Sequence, residues 1–307
     1  MNNTISAVTI TYTVYGPPGP SNQAFFLFLF VVYLSILCVN LFLVLVICDS
    51  GLHKPMHTFL LHLAVNGLIG SSAVCPKVME NLVSDAQGIS RTGCLLQVFF
   101  INVYATCAYA ILALMAYDRY VSICKPLQYH TIVTPFRVRL LLTVVYFVPV
   151  SLLSFQIYLT SRLPLCWYVI HKLFCDNLSI VKLSCTQKPL ENLFGLSIIS
   201  TMVVLPFLLV LLSYMRILRV SLRASKESQR KALSTCAPHL IVFINFSVSL
   251  LFGVVYNRHS TASKYVNYFN SAQFIFFPPL LHPLIYGIRT KEIRRSVVKI
   301  VQRGILA

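Results

Sequence analysis

Three groups of side chains in this sequence have types and spacings that chemistry could use. His53 and His57 stand one helical turn apart with His62 beyond them, a spacing that can hold a zinc ion, but three His around a loop end also form a polar girdle. The girdle is the expectation, so no metal is assigned. Ser179 and Lys182 reproduce the Ser-x-x-Lys pattern of some hydrolases by composition alone, with no partner motif. Phosphate-binding loops, Gly-rich dinucleotide loops and His-Glu-x-x-His are all absent. No cofactor is expected and no enzymatic reaction has a candidate residue. What remains is a charged run, Asp118-Arg119-Tyr120, and four cysteines, Cys94, Cys166, Cys175 and Cys185, which admit three pairings.

The elements that must position these residues are apolar. The chain has 307 residues, 57% hydrophobic and 11% charged, where a soluble protein carries about 25% charged residues. Uncharged stretches far longer than a soluble core segment recur along it, which excludes a soluble enzyme, a disordered tail and a fibre. Seven spans are expected, at about 24–48, 56–79, 94–117, 140–160, 192–215, 232–257 and 265–288. Each is long enough for a hydrocarbon layer of about 30 Å. Pro149, Pro206, Pro278, Pro279 and Pro283 fall inside spans and are read as kinks, because neighbouring helices in lipid re-satisfy the freed carbonyls. The fold class is therefore an all-α membrane protein, with residues 24–288 as the bundle between an amino-terminal tail (1–23) and a carboxyl-terminal tail (289–307).

The charge balance orients the bundle. Lys+Arg number 25 against 8 Asp+Glu, a net charge of +17, and the basic residues sit in short clusters between spans rather than on one face with interleaved aromatics. Nucleic acid is therefore not the expected partner. Of the 25 basic residues, 17 lie in segments 49–55, 118–139, 216–231 and the tail from Arg289, which places that side in the cytoplasm and the amino terminus outside. No Lys or Arg precedes Lys54, so the first span is expected to act as an uncleaved signal anchor. The four cysteines then lie on the oxidising side. Two sequons, at Asn2 and Asn177, are candidates for glycosylation there, while Asn245 is mid-span. In the tail, Ile293, Val297, Ile300 and Val301 recur at helical spacing opposite Lys291, Arg295 and Lys299, as expected of a short helix lying on anionic lipid.

Five motifs, in order and each at its membrane depth, carry a resemblance that covers essentially the whole chain. They are Leu52 to Leu60 (LHKPMHTFL), Met115 to Cys124 (MAYDRYVSIC), Ser213-Tyr214, Lys231 to Leu240 (KALSTCAPHL) and Pro279 to Tyr286 (PLLHPLIY). The chain resembles the vertebrate olfactory receptors of the rhodopsin-like, G-protein-coupled class. Asn66-Gly67-Leu68 and the His-Lys-Pro-Met form of the first loop are similar to those of fish receptors.

The resemblance implies a receptor of the plasma membrane of an olfactory sensory neuron that binds a small dissolved odorant and activates a heterotrimeric stimulatory olfactory G protein. It implies a switch of Asp118, Arg119, Tyr120, Tyr214, His239 and Tyr286, in which Arg119 pairs with Asp118 at rest and meets Tyr214 once the sixth helix swings out. It pairs Cys94 with Cys175 and Cys166 with Cys185. Gly67 and Ala108 stand where relatives have acids, and His282 replaces the Asn of the seventh-span Asn-Pro motif, so a sodium cage would lack its acidic ligands. The face the family turns inward carries Ile101, Asn102, Ala105 and Thr106 on the third helix; on the sixth, Ser247, Leu251, Val254 and Arg258 form one stripe. An apolar pocket with one guanidinium at its mouth is expected to prefer an anionic odorant. Two alternatives are a non-olfactory rhodopsin-like receptor for a small metabolite and a transporter, which would need charged pairs at mid-bilayer and an internal repeat.

Overall fold

The structure, a computed structural model, describes residues 9–49, 54–186, 189–258, 264–289 and 291–306. In chain order these form β1 (Thr9–Tyr12), α1 (Pro20–Asp49), α2 (Pro55–Val83), β2 (Gly88–Ser90), α3 (Arg91–Cys124), α4 (Tyr129–Ile132) and α5 (Pro135–Ser161). There follow β3 (Val169–Ile170), α6 (Asn177–Lys182), α7 (Pro189–Ile199), a π-helical turn (Ser200–Val204), α8 (Leu205–Leu222), α9 (Lys226–Arg258), α10 (Lys264–Arg289) and α11 (Lys291–Leu306).

Among the described residues, six helical segments are long and apolar enough to cross a membrane: α1, α2, α3, α5, the continuous run Pro189–Leu222, and Lys226–Leu251 of α9. With α10, which packs on α1, α2 and α9, they make a seven-helix transmembrane bundle. The helices extend beyond the apolar windows because their ends are capped by local chemistry. Ser90 accepts the Gly93 N–H to start α3, and Thr134 accepts that of Arg137 ahead of Pro135 to start α5. The π turn stands directly before Pro206, which has no N–H for the ladder, and the surplus residue is absorbed there.

α3 is the hub, packed on α2, α5, α8 and α9. Its buried side chains belong to two clusters, one around Cys107, Leu112 and Met115 and the other around Cys94, Val98 and Ile101. Leu27, Phe28, Val31, Phe147 and Leu209 are exposed instead, an apolar belt that lipid would cover.

α2 approaches α3 closely at Gly70, where a Cβ would stand 2.3 Å from Cγ of Tyr104. The ring cannot retreat: it is buried, with its edge against Phe246 and Phe274 at 6.0 and 6.1 Å between centroids. Asn66 Nδ2 also bonds the Tyr104 carbonyl at 2.8 Å. Gly70→Ala is therefore expected to cost about 1–3 kcal/mol by overpacking, read as a lower melting temperature of the purified protein.

One end of the bundle is closed by a three-stranded sheet in the order β2-β1-β3. The expected amino-terminal tail thus contains a strand. β1 runs antiparallel to β2, with Ile10 opposite Ile89, and parallel to β3, with Tyr12 opposite Ile170. Tyr15 donates its hydroxyl to the Leu173 carbonyl, and the Tyr12 hydroxyl lies 3.2 Å from Cys175 Sγ.

Candidate functional site

The candidate site has two halves, a cavity at the sheet end and a polar cluster at the tail end. Two disulfides shape the first. Cys94–Cys175 ties the start of α3 to the loop after β3, and Cys166–Cys185 closes that loop on itself, with Cα atoms 5.5 and 5.0 Å apart. Gln97, one turn into α3, accepts the Cys175 N–H at 2.9 Å, so the loop is pinned against α3 by a hydrogen bond as well. Asp176 then caps α6, accepting the Ser179 N–H at 2.7 Å while pairing with Lys172.

Beneath this loop lies a cavity of about 230 Å³ between α3, α5, α6, α7, the π turn and α9. Asn102, Ala105 and Thr106 line it; Ile101 is packed in the core instead. The sixth-helix stripe has the right spacing and the wrong phase. Leu251 is 65% exposed on the lipid side, and Ser247 hydrogen-bonds Tyr109 Oη at 2.9 Å rather than lining the cavity. Leu250 faces the cavity, because one residue turns a helix by about 100° and Phe246 and Ser249 take the buried face. The side chains of Val254 and Arg258 lie outside the described residues, as does Asn2. The charged lining side chains are Asp176 and Glu191, both carboxylates, so the preference for an anion finds no support in this wall.

Asn177 is turned inward. Its Oδ1 accepts from Thr160 at 2.9 Å and its side chain lines the cavity, a placement at odds with a glycan. The fourth-span residues Leu153 and Gln156 were not expected at the cavity, nor were Glu191, Gly195 and Val203. A lone Gln in an apolar span was the available signal.

At the tail end, His239 is fully buried and bridges two helices. Its Nε2 lies 2.9 Å from the Leu112 carbonyl on α3. A carbonyl can only accept, so Nε2 carries the hydrogen and Nδ1 is left to accept the Tyr214 hydroxyl of α8 at 2.6 Å. The rings of Tyr214, His239 and Phe243 stack at 5.7 and 6.3 Å between centroids. The expected pairing of Asp118 with Arg119 is replaced. Asp118 is buried and accepts the Tyr129 hydroxyl of α4 at 2.7 Å. Burial, and then the bonded carboxylate, push the Tyr129 phenol above its ordinary range, so it stays a donor. The Arg119 guanidinium makes no hydrogen bond or ion pair among the described residues, and its Nε is buried. Tyr120 stands with its ring 6.4 Å from that of Tyr117, and Tyr286 is buried with its hydroxyl unpartnered among the described residues.

α11 is latched to the start of α2, where Glu292 pairs with Lys54 and lies 3.2 Å from His57 Nε2. Ile293, Val297 and Ile300 face the bundle, while Arg295 and Lys299 are exposed. The Lys54 ammonium holds the Glu292 carboxyl below the usual range. A depressed carboxylate stabilises above its ordinary value of about 4.3, and the contribution is lost as pH falls through the lower bound-state value. Amides of α11 are expected to lose protection, relative to the free peptide at the same pH, as acid is added below that value. Glu292→Gln should show the loosened state at neutral pH.

The comparison with known proteins decides what carries this arrangement. The family described as olfactory receptor matches residues 28–303. The chain belongs to the olfactory receptor family. It is 34% identical to human (Homo sapiens) olfactory receptor 52D1 over 96% of this chain and 95% of that protein. It is 37% identical to human olfactory receptor 6N1 over 92% and 91% of the two, and 32% identical to rat (Rattus norvegicus) olfactory receptor 1500 over 98% of each. Members of the olfactory receptor family are multi-pass G-protein-coupled receptors rather than enzymes.

Proposed function

We propose that this olfactory receptor takes a small dissolved odorant into the cavity under the disulfide-pinned loop and activates a stimulatory olfactory-type G protein at the opposite end. The amino terminus is outside the plasma membrane of an olfactory sensory neuron, and α11 lies against anionic lipid of the inner leaflet. The observation that supports the reading most is that cavity and polar cluster share their helices. Thr106 and Leu112 stand on α3, Leu250 and His239 on α9, and Val203 belongs to the π turn that continues into α8 with Tyr214.

A ligand shifts a two-state receptor only by its differential affinity for the two states. Here the resting state is the one in which His239 holds α9 to α3 and α8. An odorant that favours a different seating of Leu250 and the π turn works against that bridge. Once the bridge opens, Tyr214 is released to Arg119, whose guanidinium has no competing partner among the described residues. The test is cyclic AMP in cells with and without the stimulatory G-protein α subunit, over a panel of dissolved odorants, with ion flux recorded alongside. A response that needs the α subunit is expected. Ion flux without it would overturn the reading.

A further inference from the structure

Gln156 is an uncommitted polar group inside the cavity. It is 9% exposed, stands on the apolar helix α5, lines the cavity, and makes no hydrogen bond among the described residues. A carboxamide with no protein partner, set in a largely apolar wall, presents its donor and its acceptor to whatever enters the cavity. Gly195 stands beside it, where an added Cβ would already touch Gln156 Nε2 at 3.5 Å, so a larger side chain at 195 would crowd the carboxamide. The Asn102 carboxamide on α3 is also without a hydrogen-bond partner among the described residues, since Thr106 Oγ1 donates to the Asn102 backbone carbonyl at 2.7 Å.

The charges of the wall select the partner. A carboxylate head would meet Asp176 and Glu191, and Lys172 is already engaged by Asp176. A neutral head avoids that repulsion. The rest of the lining, Leu153, Leu196, Ile199 and Leu250 among it, suits an aliphatic tail. At about 230 Å³ the cavity is below the roughly 300–1,000 Å³ of pockets that take drug-sized molecules.

We infer that Gln156 is the specificity-determining residue of this cavity, and that it recognises a small neutral aliphatic molecule carrying a hydrogen-bond donor and an acceptor on one head, a primary amide above all. The inference rests on the proposed receptor role. Gln156 Oε1 accepts the ligand N–H while Nε2 donates to the ligand carbonyl, a matched pair that neither a ketone nor an ion completes.

The experiment uses the full chain, purified for thermal stability and expressed in cells for cyclic AMP, with hexanamide, 2-hexanone, hexanoate and hexylamine as probes. Hexanamide is expected to stabilise and activate at concentrations about tenfold or more below the other three. Gln156→Leu should weaken hexanamide about tenfold and leave 2-hexanone nearly unchanged, with partial recovery in Gln156→Asn. Gln156→Glu, of the same shape, should turn the preference toward hexylamine, which keeps the test available if the Leu variant does not fold. Stronger stabilisation by hexanoate or hexylamine in the parent, or undiminished hexanamide binding in Gln156→Leu, would overturn the inference. Stabilisation without cyclic AMP would sink the receptor role and leave the site standing; cyclic AMP from other odorants, with no stabilisation by hexanamide, would sink the site alone.

Discussion

Arg119→Ala is expected to abolish odorant-driven cyclic AMP while the amount of receptor at the cell surface stays near that of the parent. The two halves of this expectation come from one observation. In the structure the Arg119 guanidinium has no hydrogen bond or ion pair among the described residues, while its neighbour Asp118 is satisfied by Tyr129. A half-buried cation held by no hydrogen bond or close ion pair contributes little to the state that contains it, so truncating it removes desolvation cost along with charge. Signalling is expected to differ, because in the proposed mechanism the open state supplies the partner that Arg119 lacks at rest. A conservative control is His239→Phe, which keeps the ring stack with Tyr214 and Phe243 but loses both hydrogen bonds. It should raise basal cyclic AMP several-fold, since two neutral hydrogen bonds are worth on the order of 1–3 kcal/mol. Full signalling by Arg119→Ala would remove Arg119 from the switch.

Cys94→Ser is expected to destroy most of the folded receptor, at a cost of about 2–5 kcal/mol, whereas Cys166→Ser should be milder. The Cys94–Cys175 bond joins residues 81 apart in sequence and Cys166–Cys185 residues 19 apart. Loop-closure entropy alone makes the first worth about 1 kcal/mol more. Contacts widen the gap, because Cys175 also supplies the N–H that Gln97 accepts and the sulfur beside Tyr12 Oη. Surface labelling of the two variants, with melting temperatures of the parent and Cys166→Ser protein, checks the order. Equal losses would mean that the loop's internal closure matters as much as its attachment to α3.

How far the sequence discloses this molecule depends on the kind of signal. The spans are legible because a bilayer imposes length and polarity together, and the run Ala24 to Cys48 has no Asp, Glu, Lys, Arg or His. Helix phase is less so. Along the part of α9 from Leu240 to Val255 every residue but Asn245, Ser247 and Ser249 is apolar, so the inward face cannot be told from the lipid face by hydrophobicity, and the expected Leu251 gives way to Leu250. The sheet was not legible, because strands of two to four residues leave no periodic pattern. The resemblance implies Arg119 as the partner of Asp118, while the donor in the structure, Tyr129, belongs to a short helix that composition does not announce. Gln156 was passed over because its span was judged on the absence of charge.

The central place of β1 in its sheet sets an order of assembly. β1 precedes both its partners in the chain, with Thr11 paired to Gly88 on one side and Val169 on the other. Neither neighbour exists until the second and fourth long helices have been made. The strand must therefore wait unpaired while the helices between it and its partners are made, and contacts this distant in sequence are slow to form. Its exposed edges remain available for wrong partners throughout that interval. Formation of the sheet is thereby tied to completion of the helices between its strands rather than to synthesis of β1 itself.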